Sequence, residues 1–162
     1  MADDRAPLEG LGPMKSWRDD VELTAPGRLS FVDVTDELRR AIKDSGITDG
    51  CAVAFCAHTT SALVINEWEE GALEDFRARL ETLIPDDVSY SHDDLERRTQ
   101  NLQDGHERPN GRSHVAQMLL GGSSHAIPVA GGEALLGRWQ RLILVELDEP
   151  KPRRILFHVF GL

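Results

Sequence analysis

The segment HTTSALVINE, residues 58–67, places a histidine and several hydroxyls between two apolar runs. The run CAVAFCA ends just before His58, and ALVI follows Ser61. His58 can titrate near neutral pH or bind a metal, and the hydroxyls of Thr59 and Thr60 could hold an oxyanion or a phosphate. The same pattern fits a polar turn with a hydrogen-bonded histidine, so the residues alone leave both interpretations open.

Two further histidines have positions that could support chemistry. His92 lies in YSHDD, at the start of a long polar segment, where a solvated side chain is the commoner case. His114 falls in the first turn of a predicted short helix, where backbone N–H groups favour anions and a neutral imidazole. The six histidines form no local metal motif. Three neutral imidazoles from three segments would nevertheless suit a divalent transition metal.

Other polar residues have two interpretations each. Asn66 and Glu67 either cap the helix that follows or face the same cleft as His58. Gln140 begins the penultimate strand and could reach a ligand, whereas Trp139 beside it is expected in the core. Arg153 and Arg154 follow a turn, where a surface position is commoner than a phosphate contact. The remaining histidines, His106, His125 and His158, are assigned to the surface or, for His158, to strand packing.

Many strands and few helices must position these side chains. Alternating or apolar runs bounded by turn residues predict strands at 15–23, 28–34, 51–57, 62–65, 125–129, 133–137, 138–148 and 153–161. Apolar residues at helical spacing predict helices at 36–45, capped by Thr35 or Asp36; at 71–84, with Leu73, Phe76, Leu80, Leu83 and Ile84 on one face; and at 114–120, capped by Ser113. Because strands and helices do not alternate regularly, we predict an α+β fold with a mostly antiparallel, sandwich-like sheet.

Length and charge narrow the class of protein. The 162 residues predict one domain over 15–162, preceded by a flexible tail over 1–14. A net charge of −10 disfavours nonspecific binding to nucleic acid or to an anionic membrane. Cys51 and Cys56 are five residues apart in one strand, on opposite faces, which predicts two reduced thiols. With no apolar leader at the N-terminus, we expect a cytoplasmic protein.

The order of these segments resembles the YjbQ-like family, whose members are often called secondary thiamine-phosphate synthase enzymes. The resemblance covers roughly residues 15 to 161. It is carried by HTT…NE, a helix containing Asp75, YSH, NGRSHVAQMLLGGSS, HAIPV, LGRWQ and a closing arginine-rich strand.

This resemblance implies a homotrimer and a cleft near the subunit interface. It matches the family's recurrent histidines to His58, His92 and His114, and its recurrent polar positions to Asn66, Glu67, Asp75 and Asn110. The histidines are expected to bind a divalent metal, zinc or manganese, or an anion. The implied reaction couples hydroxymethylpyrimidine diphosphate to thiazole phosphate.

Three hypotheses follow from the sequence. The first is an enzyme in which the three histidines bind metal or act as acid and base, with Glu67 or Asp75 orienting them. Thr59 and Thr60 would then hold a phosphate. The second is a non-catalytic trimer that binds a metal or a small anion in the same cleft. The third is a structural protein whose polar clusters satisfy a trimer interface.

Overall fold

Two antiparallel sheets and three α-helices make up the part of the chain that the structure describes. The structure is a computed structural model that describes residues 12–102 and 108–162. The predicted tail, residues 1–14, and His106 therefore lie largely or wholly outside the described residues. The described elements are β1 Lys15–Thr24, β2 Ser30–Asp33, α1 Thr35–Ser45, β3 Gly50–Cys56, β4 Ser61–Glu67, α2 Glu70–Leu83, a 3-10 turn Ser91–Asp93, α3 Gly111–Leu120, β5 Ser124–Ala130, β6 Glu133–Ala134, β7 Gln140–Glu146 and β8 Pro152–Gly161. The predicted α+β class is confirmed.

The three-stranded sheet is the middle layer of the molecule. Its strands follow the order β2-β7-β4, and the larger sheet follows β1-β8-β3-β5-β6. One face of β7 packs, through Leu142 and Leu144, into a core shared with α1 and the larger sheet. The opposite face packs through Val145, and Leu147 just after the strand, against apolar residues of α2 and α3. Burial on both faces explains why residues 142–145 of β7 form an apolar run rather than an alternating pattern.

The helix starts differ from those predicted because backbone N–H groups find other acceptors. Asp33 accepts the N–H of Thr35 at 2.9 Å, and Thr35, one of the two predicted caps, is the first residue of α1 after Val34 at the cap position. The Thr35 hydroxyl instead accepts the N–H of Leu142 at 2.9 Å and joins α1 to β7. At α3, Ser113 is the third helical residue rather than the cap, and its hydroxyl donates to the Leu147 carbonyl at 2.8 Å.

Several side-chain predictions are wrong. Trp139 is 60 % exposed, because it precedes β7 in a turn instead of entering the sheet. Leu83 is 73 % exposed, since α2 ends there and only the next residue, Ile84, turns into the core. Asn66 and Glu67 belong to β4 and do not cap α2. The carboxylate that accepts N–H groups at that helix start is Glu69.

The cysteine prediction is confirmed, since Cys51 and Cys56 are both free thiols, the first half-buried and the second buried. None of the described helices combines the length and the apolar character that spanning a bilayer requires.

Candidate functional site

The turn between β3 and β4 carries the first candidate residues, and a buried ion pair holds it. Thr60 is 6 % exposed, and its carbonyl accepts the N–H of Leu147 at 3.2 Å. The same carbonyl lies 3.4 Å from a guanidinium nitrogen of Arg153. Arg153 is buried, contrary to the surface position expected for it, and its Nε donates to Glu146 at 2.7 Å. The backbone at Thr59 and Thr60 is therefore fixed from beneath by a hydrogen-bonded ion pair.

His58 lies on the same turn, but its ring binds the neighbouring strand. Its Nε2 accepts the backbone N–H of Arg154 at 2.8 Å, so the proton of the neutral ring is on Nδ1. Burial lowers the pKa of His58, and the positive charge of Arg153 lowers it further, against smaller opposing effects of Glu146 and Glu22. His58 is thus favoured as a neutral ring that connects the turn to β8.

His92 and His114 come together through a long-range helix cap. The Oδ1 atom of Asp93 accepts the N–H groups of Asn110 and Gly111 at 2.8 and 2.7 Å, which attaches the 3-10 turn to the start of α3. A side chain at Gly111 would meet Tyr90 Cβ at 2.8 Å and His92 Cβ at 3.1 Å, so this approach requires glycine. The two imidazole centroids are consequently 4.5 Å apart.

Arg98 places a fixed cation beside this histidine pair. Its Nη1 donates to Nε2 of His92 at 3.0 Å. Its Nε and Nη2 donate to the carbonyls of Gln100 and Asn101, each at 3.2 Å. A guanidinium held at several nitrogens loses little further freedom when it binds an anion. This arginine was not predicted as a site residue, although RRTQ is one of the few basic clusters in the chain.

Lys151 supplies a second cation from the turn between β7 and β8. Its ammonium group donates to Asp148 at 2.7 Å and lies 3.3 Å from Glu149. Asp148 is nearly buried, and its Oδ1 atom also forms an ion pair with Nη2 of Arg108 at 2.6 Å. Lys151 is therefore held in place by carboxylates on its own turn. No local sequence pattern brings this turn to the histidines, which explains why Lys151 was missed.

These elements enclose one cavity of about 610 Å³. Its lining combines two imidazoles, two cationic side chains, two hydroxyls and two amides. The residues are Thr59, Thr60, His92, Arg98, Asn101, Asn110, His114, Met118 and Lys151. Among the described residues, no aspartate or glutamate lines this cavity. The oxygen Oδ1 of Asn110 is buried and has no hydrogen-bond partner among residues 12–102 and 108–162.

The other predicted site residues lie elsewhere on the chain. Glu67 pairs in register with Gln140 at one end of the β4–β7 ladder, whereas Ser61 pairs with Glu146 at the other. Six residues of strand separate these ends by about 20 Å. The side chain of Gln140 accepts the N–H of Gly137 at 2.7 Å and closes a turn. Asp75 is exposed on α2. Within one chain, Asn66, Glu67, Asp75 and Gln140 thus do not join the histidine cavity.

A metal site with three ligands is not assembled within the part of the chain that the structure describes. No group of three histidine, cysteine, aspartate or glutamate side chains in it is arranged to hold a metal ion. His92 and His114 are together, but the Nε2 atom of His58 is bonded to β8. His125, expected at the surface, is half-buried and bonds the Leu63 carbonyl at 3.0 Å. The predicted donor set therefore does not fit a zinc or manganese ion in this arrangement.

Fold and site together define a class: a small α+β protein with two antiparallel sheets and a histidine-lined cavity at one end of the three-stranded sheet. The model of the family described as UPF0047 protein YjbQ-like matches residues 19–162. The chain belongs to this family, as the resemblance in its sequence indicated.

Relatives and solved structures agree with this assignment. A UPF0047 protein of Archaeoglobus fulgidus is 35 % identical over 137 residues, covering 85 % of this chain and 96 % of the relative. A UPF0047 protein of Methanothermobacter thermautotrophicus is 34 % identical, covering 91 % and 94 %. The crystal structure of a YbjQ-like protein from Sulfolobus solfataricus superposes with a TM-score of 0.80 at 30 % identity, covering 93 % of this chain and all of that one.

Proposed function

We propose that the cavity beside His92 and His114 binds the phosphate group of a small molecule. The observation that carries this proposal is a contrast of charge. The whole chain has a net charge of −10, yet the described residues that line the cavity include two cations and no carboxylate. Asp148 and Glu149 pair with Lys151 from outside this lining, and cationic donors that face a cavity attract anions. The volume of about 610 Å³ suits a small organic phosphate.

Each part of the lining has a role in this proposal. Arg98 supplies charge-assisted hydrogen bonds to phosphate oxygens, which are among the stronger ones in proteins. Thr59 and Thr60 supply hydroxyl donors, and the buried ion pair beneath them fixes their backbone. His92 and His114 are placed to donate or accept a proton on the bound molecule.

The experiment is a calorimetric titration with inorganic phosphate and with pyrophosphate. We expect Lys151→Met to weaken the binding of both anions, by roughly tenfold for one charge-assisted contact. Lys43→Met, on the exposed side of α1, is the matched control and should leave affinity unchanged. Equal affinities for the wild type and Lys151→Met, or the absence of binding, would contradict the proposal.

The reaction that family resemblance implies is the second part of the proposal. Coupling hydroxymethylpyrimidine diphosphate to thiazole phosphate releases pyrophosphate, whose departing charge Arg98 and Lys151 would neutralise. The acid–base groups would be His92 and His114. The assay measures thiamine phosphate and pyrophosphate formed from the two substrates, with His114→Ala beside the wild type. Binding without turnover would favour the alternative function, a non-catalytic protein that binds anions.

The metal prediction is tested separately from catalysis. Metal content per chain, measured on purified wild type and on His58→Ala, His92→Ala and His114→Ala, decides whether zinc or manganese binds. One metal per chain, lost in each folded variant, would restore the three-histidine site.

The cytoplasmic location remains a prediction, with which two free thiols are compatible.

We also propose the homotrimer that the resemblance implies. All three tryptophans of the chain are exposed, Trp17 by 41 %, Trp68 by 44 % and Trp139 by 60 %. Exposed tryptophan is enriched where proteins associate. Light scattering on the eluting protein measures the mass, and a mass of one chain at micromolar concentration would contradict the trimer.

A further inference from the structure

The ring nitrogen of His92 that could bind a metal is already occupied by a cation. Nη1 of Arg98 lies 3.0 Å from Nε2 of His92. A guanidinium has only donors, so this imidazole nitrogen accepts the hydrogen bond through its lone pair. The same guanidinium donates to the carbonyls of Gln100 and Asn101. Among the described residues, one imidazole nitrogen and two carbonyl oxygens are thus part of what holds the Arg98 cation.

A metal ion and Arg98 cannot use that nitrogen at the same time. Zinc binds a histidine nitrogen at about 2.0–2.1 Å along its lone pair. That position falls inside the 3.0 Å separation between His92 and the Arg98 guanidinium. Lys151 lines the same cavity, where Asp148 and Glu149 pair with its ammonium group. A metal could bind His92 through Nε2 only after Arg98 had left.

From this geometry we infer that Arg98 takes the place of a metal ion in a phosphate site lined by histidines. It is the permanent cation that neutralises the bound phosphate. His92 holds this cation in place through Nε2, the nitrogen that would otherwise bind a metal ion. The planar guanidinium suits this role, because it matches phosphate oxygens in geometry as well as in charge. This inference rests on the proposed phosphate site and deepens it: phosphate binding needs no metal in this protein.

The test measures phosphate and zinc separately on the full chain. Calorimetry gives the phosphate affinity of the wild type, Arg98→Ala and Arg98→Lys, with a chelator and then with equimolar zinc. Zinc retained per chain after dialysis is the second measurement. Arg39→Ala is the control, since Arg39 lies on α1, lines no cavity with His92 or Arg98 and pairs with Asp36 at 3.1 Å at the surface. Circular dichroism verifies that each variant is folded.

We expect wild-type phosphate affinity to be the same with chelator and with zinc. Arg98→Ala should lose about tenfold or more of it, and Arg98→Lys, which keeps the charge but not the planar geometry, should lose less. Removing Arg98 exposes the His92 lone pair, so Arg98→Ala should retain more zinc than the wild type. A second substitution, His92→Ala, should abolish that gain, whereas Arg39→Ala should change neither measurement.

Two results would overturn this inference but not the proposed phosphate site. One is wild-type phosphate binding that occurs with zinc and is lost in chelator; the other is one zinc per wild-type chain that His92→Ala removes. If no phosphate binds under any condition, the proposed function fails instead. The zinc comparison still tests the occupied nitrogen in that case, since equal zinc retention by the wild type and Arg98→Ala would show that Arg98 does not block it.

Discussion

The two ends of the β4–β7 ladder contain similar residue types but differ in burial. At one end, Ser61 faces Glu146, and both are fully buried beside the cavity. At the other end, Glu67 faces Gln140, and both are exposed. The buried carboxylate has an arginine partner, whereas the side chain of Gln140 only closes its own turn. Polar residues at strand ends thus indicate a built site only where neighbouring groups fix their geometry.

The largest effect should come from breaking the buried end. Arg153→Met leaves the Glu146 carboxylate buried without its partner, which typically costs about 3–5 kcal/mol of unfolding free energy. Urea denaturation followed by circular dichroism measures this loss. The adjacent Arg154 is the matched control, because it pairs with Asp20 at the surface and Arg154→Met should change stability little. Similar losses in the two variants would remove the distinction between buried and exposed pairs.

A smaller but more local effect is expected at Gly111. An alanine there must displace Tyr90 or His92, whose Cβ atoms are 2.8 and 3.1 Å from the added carbon. We expect a loss of about 1–3 kcal/mol, typical of overpacking, together with weaker phosphate binding. Gly71→Ala is the comparison at the start of α2, where the nearest contact is the flexible Glu69 side chain at 3.1 Å. It should be nearly neutral, and unchanged phosphate affinity in Gly111→Ala would contradict the link to His92.

We expect the stability of the folded protein to depend on pH through His58, which lies at the buried end. Its pKa is lowered in the folded protein from the ordinary value of 6.5, chiefly by burial and then by Arg153. Between 6.5 and the lower folded value the unfolded chain binds more protons, so stability should fall as the pH drops below 6.5.

The measurement for His58 compares thermal midpoints at pH 8 and pH 5. His58→Gln keeps an acceptor for the Arg154 N–H but does not titrate, so its midpoint should fall less between the two pH values. Identical pH profiles would show that His58 is not the group responsible.

The smallest effect is expected at the exposed end. Glu67→Gln should change the unfolding free energy by no more than about 0.5 kcal/mol, as exposed substitutions usually do. Denaturation measures this change, and phosphate titration on the same variant sharpens the comparison. A clear loss of phosphate affinity at unchanged stability would mean that the exposed end of one chain completes the cavity of another in the trimer.

Hydrophobic periodicity predicted the fold well, because most strands of this protein are alternating or apolar runs bounded by turn residues. The alternation in β1 and β8 and the apolar runs of β3 and β7 gave the correct elements. Helix caps were harder to predict, since Asp93 caps α3 from 17 residues away.

The site was only partly predictable for the same physical reason. Thr59, Thr60, His92, Asn110 and His114 were expected in the cavity and line it. Arg98 and Lys151 were missed, because they reach it from a loop and a turn whose approach depends on tertiary contacts. A signal was available only for the ion pair beneath Thr60, because Glu146 and Arg153 lie seven residues apart on the two sides of a predicted turn.

The hydrogen bonds that Asp93 accepts at the start of α3 also bear on how well this protein would tolerate a change in loop length. The hydrogen bond from the Gly111 N–H to Asp93 holds together the two ends of the segment between them. The entropic cost of lengthening such a closed loop grows slowly, by about 0.6 kcal/mol for each doubling. His92 and His114 lie outside the closed loop, whereas Arg98 lies within it. We therefore expect that a change in the length of this segment would displace Arg98 more than the imidazole pair.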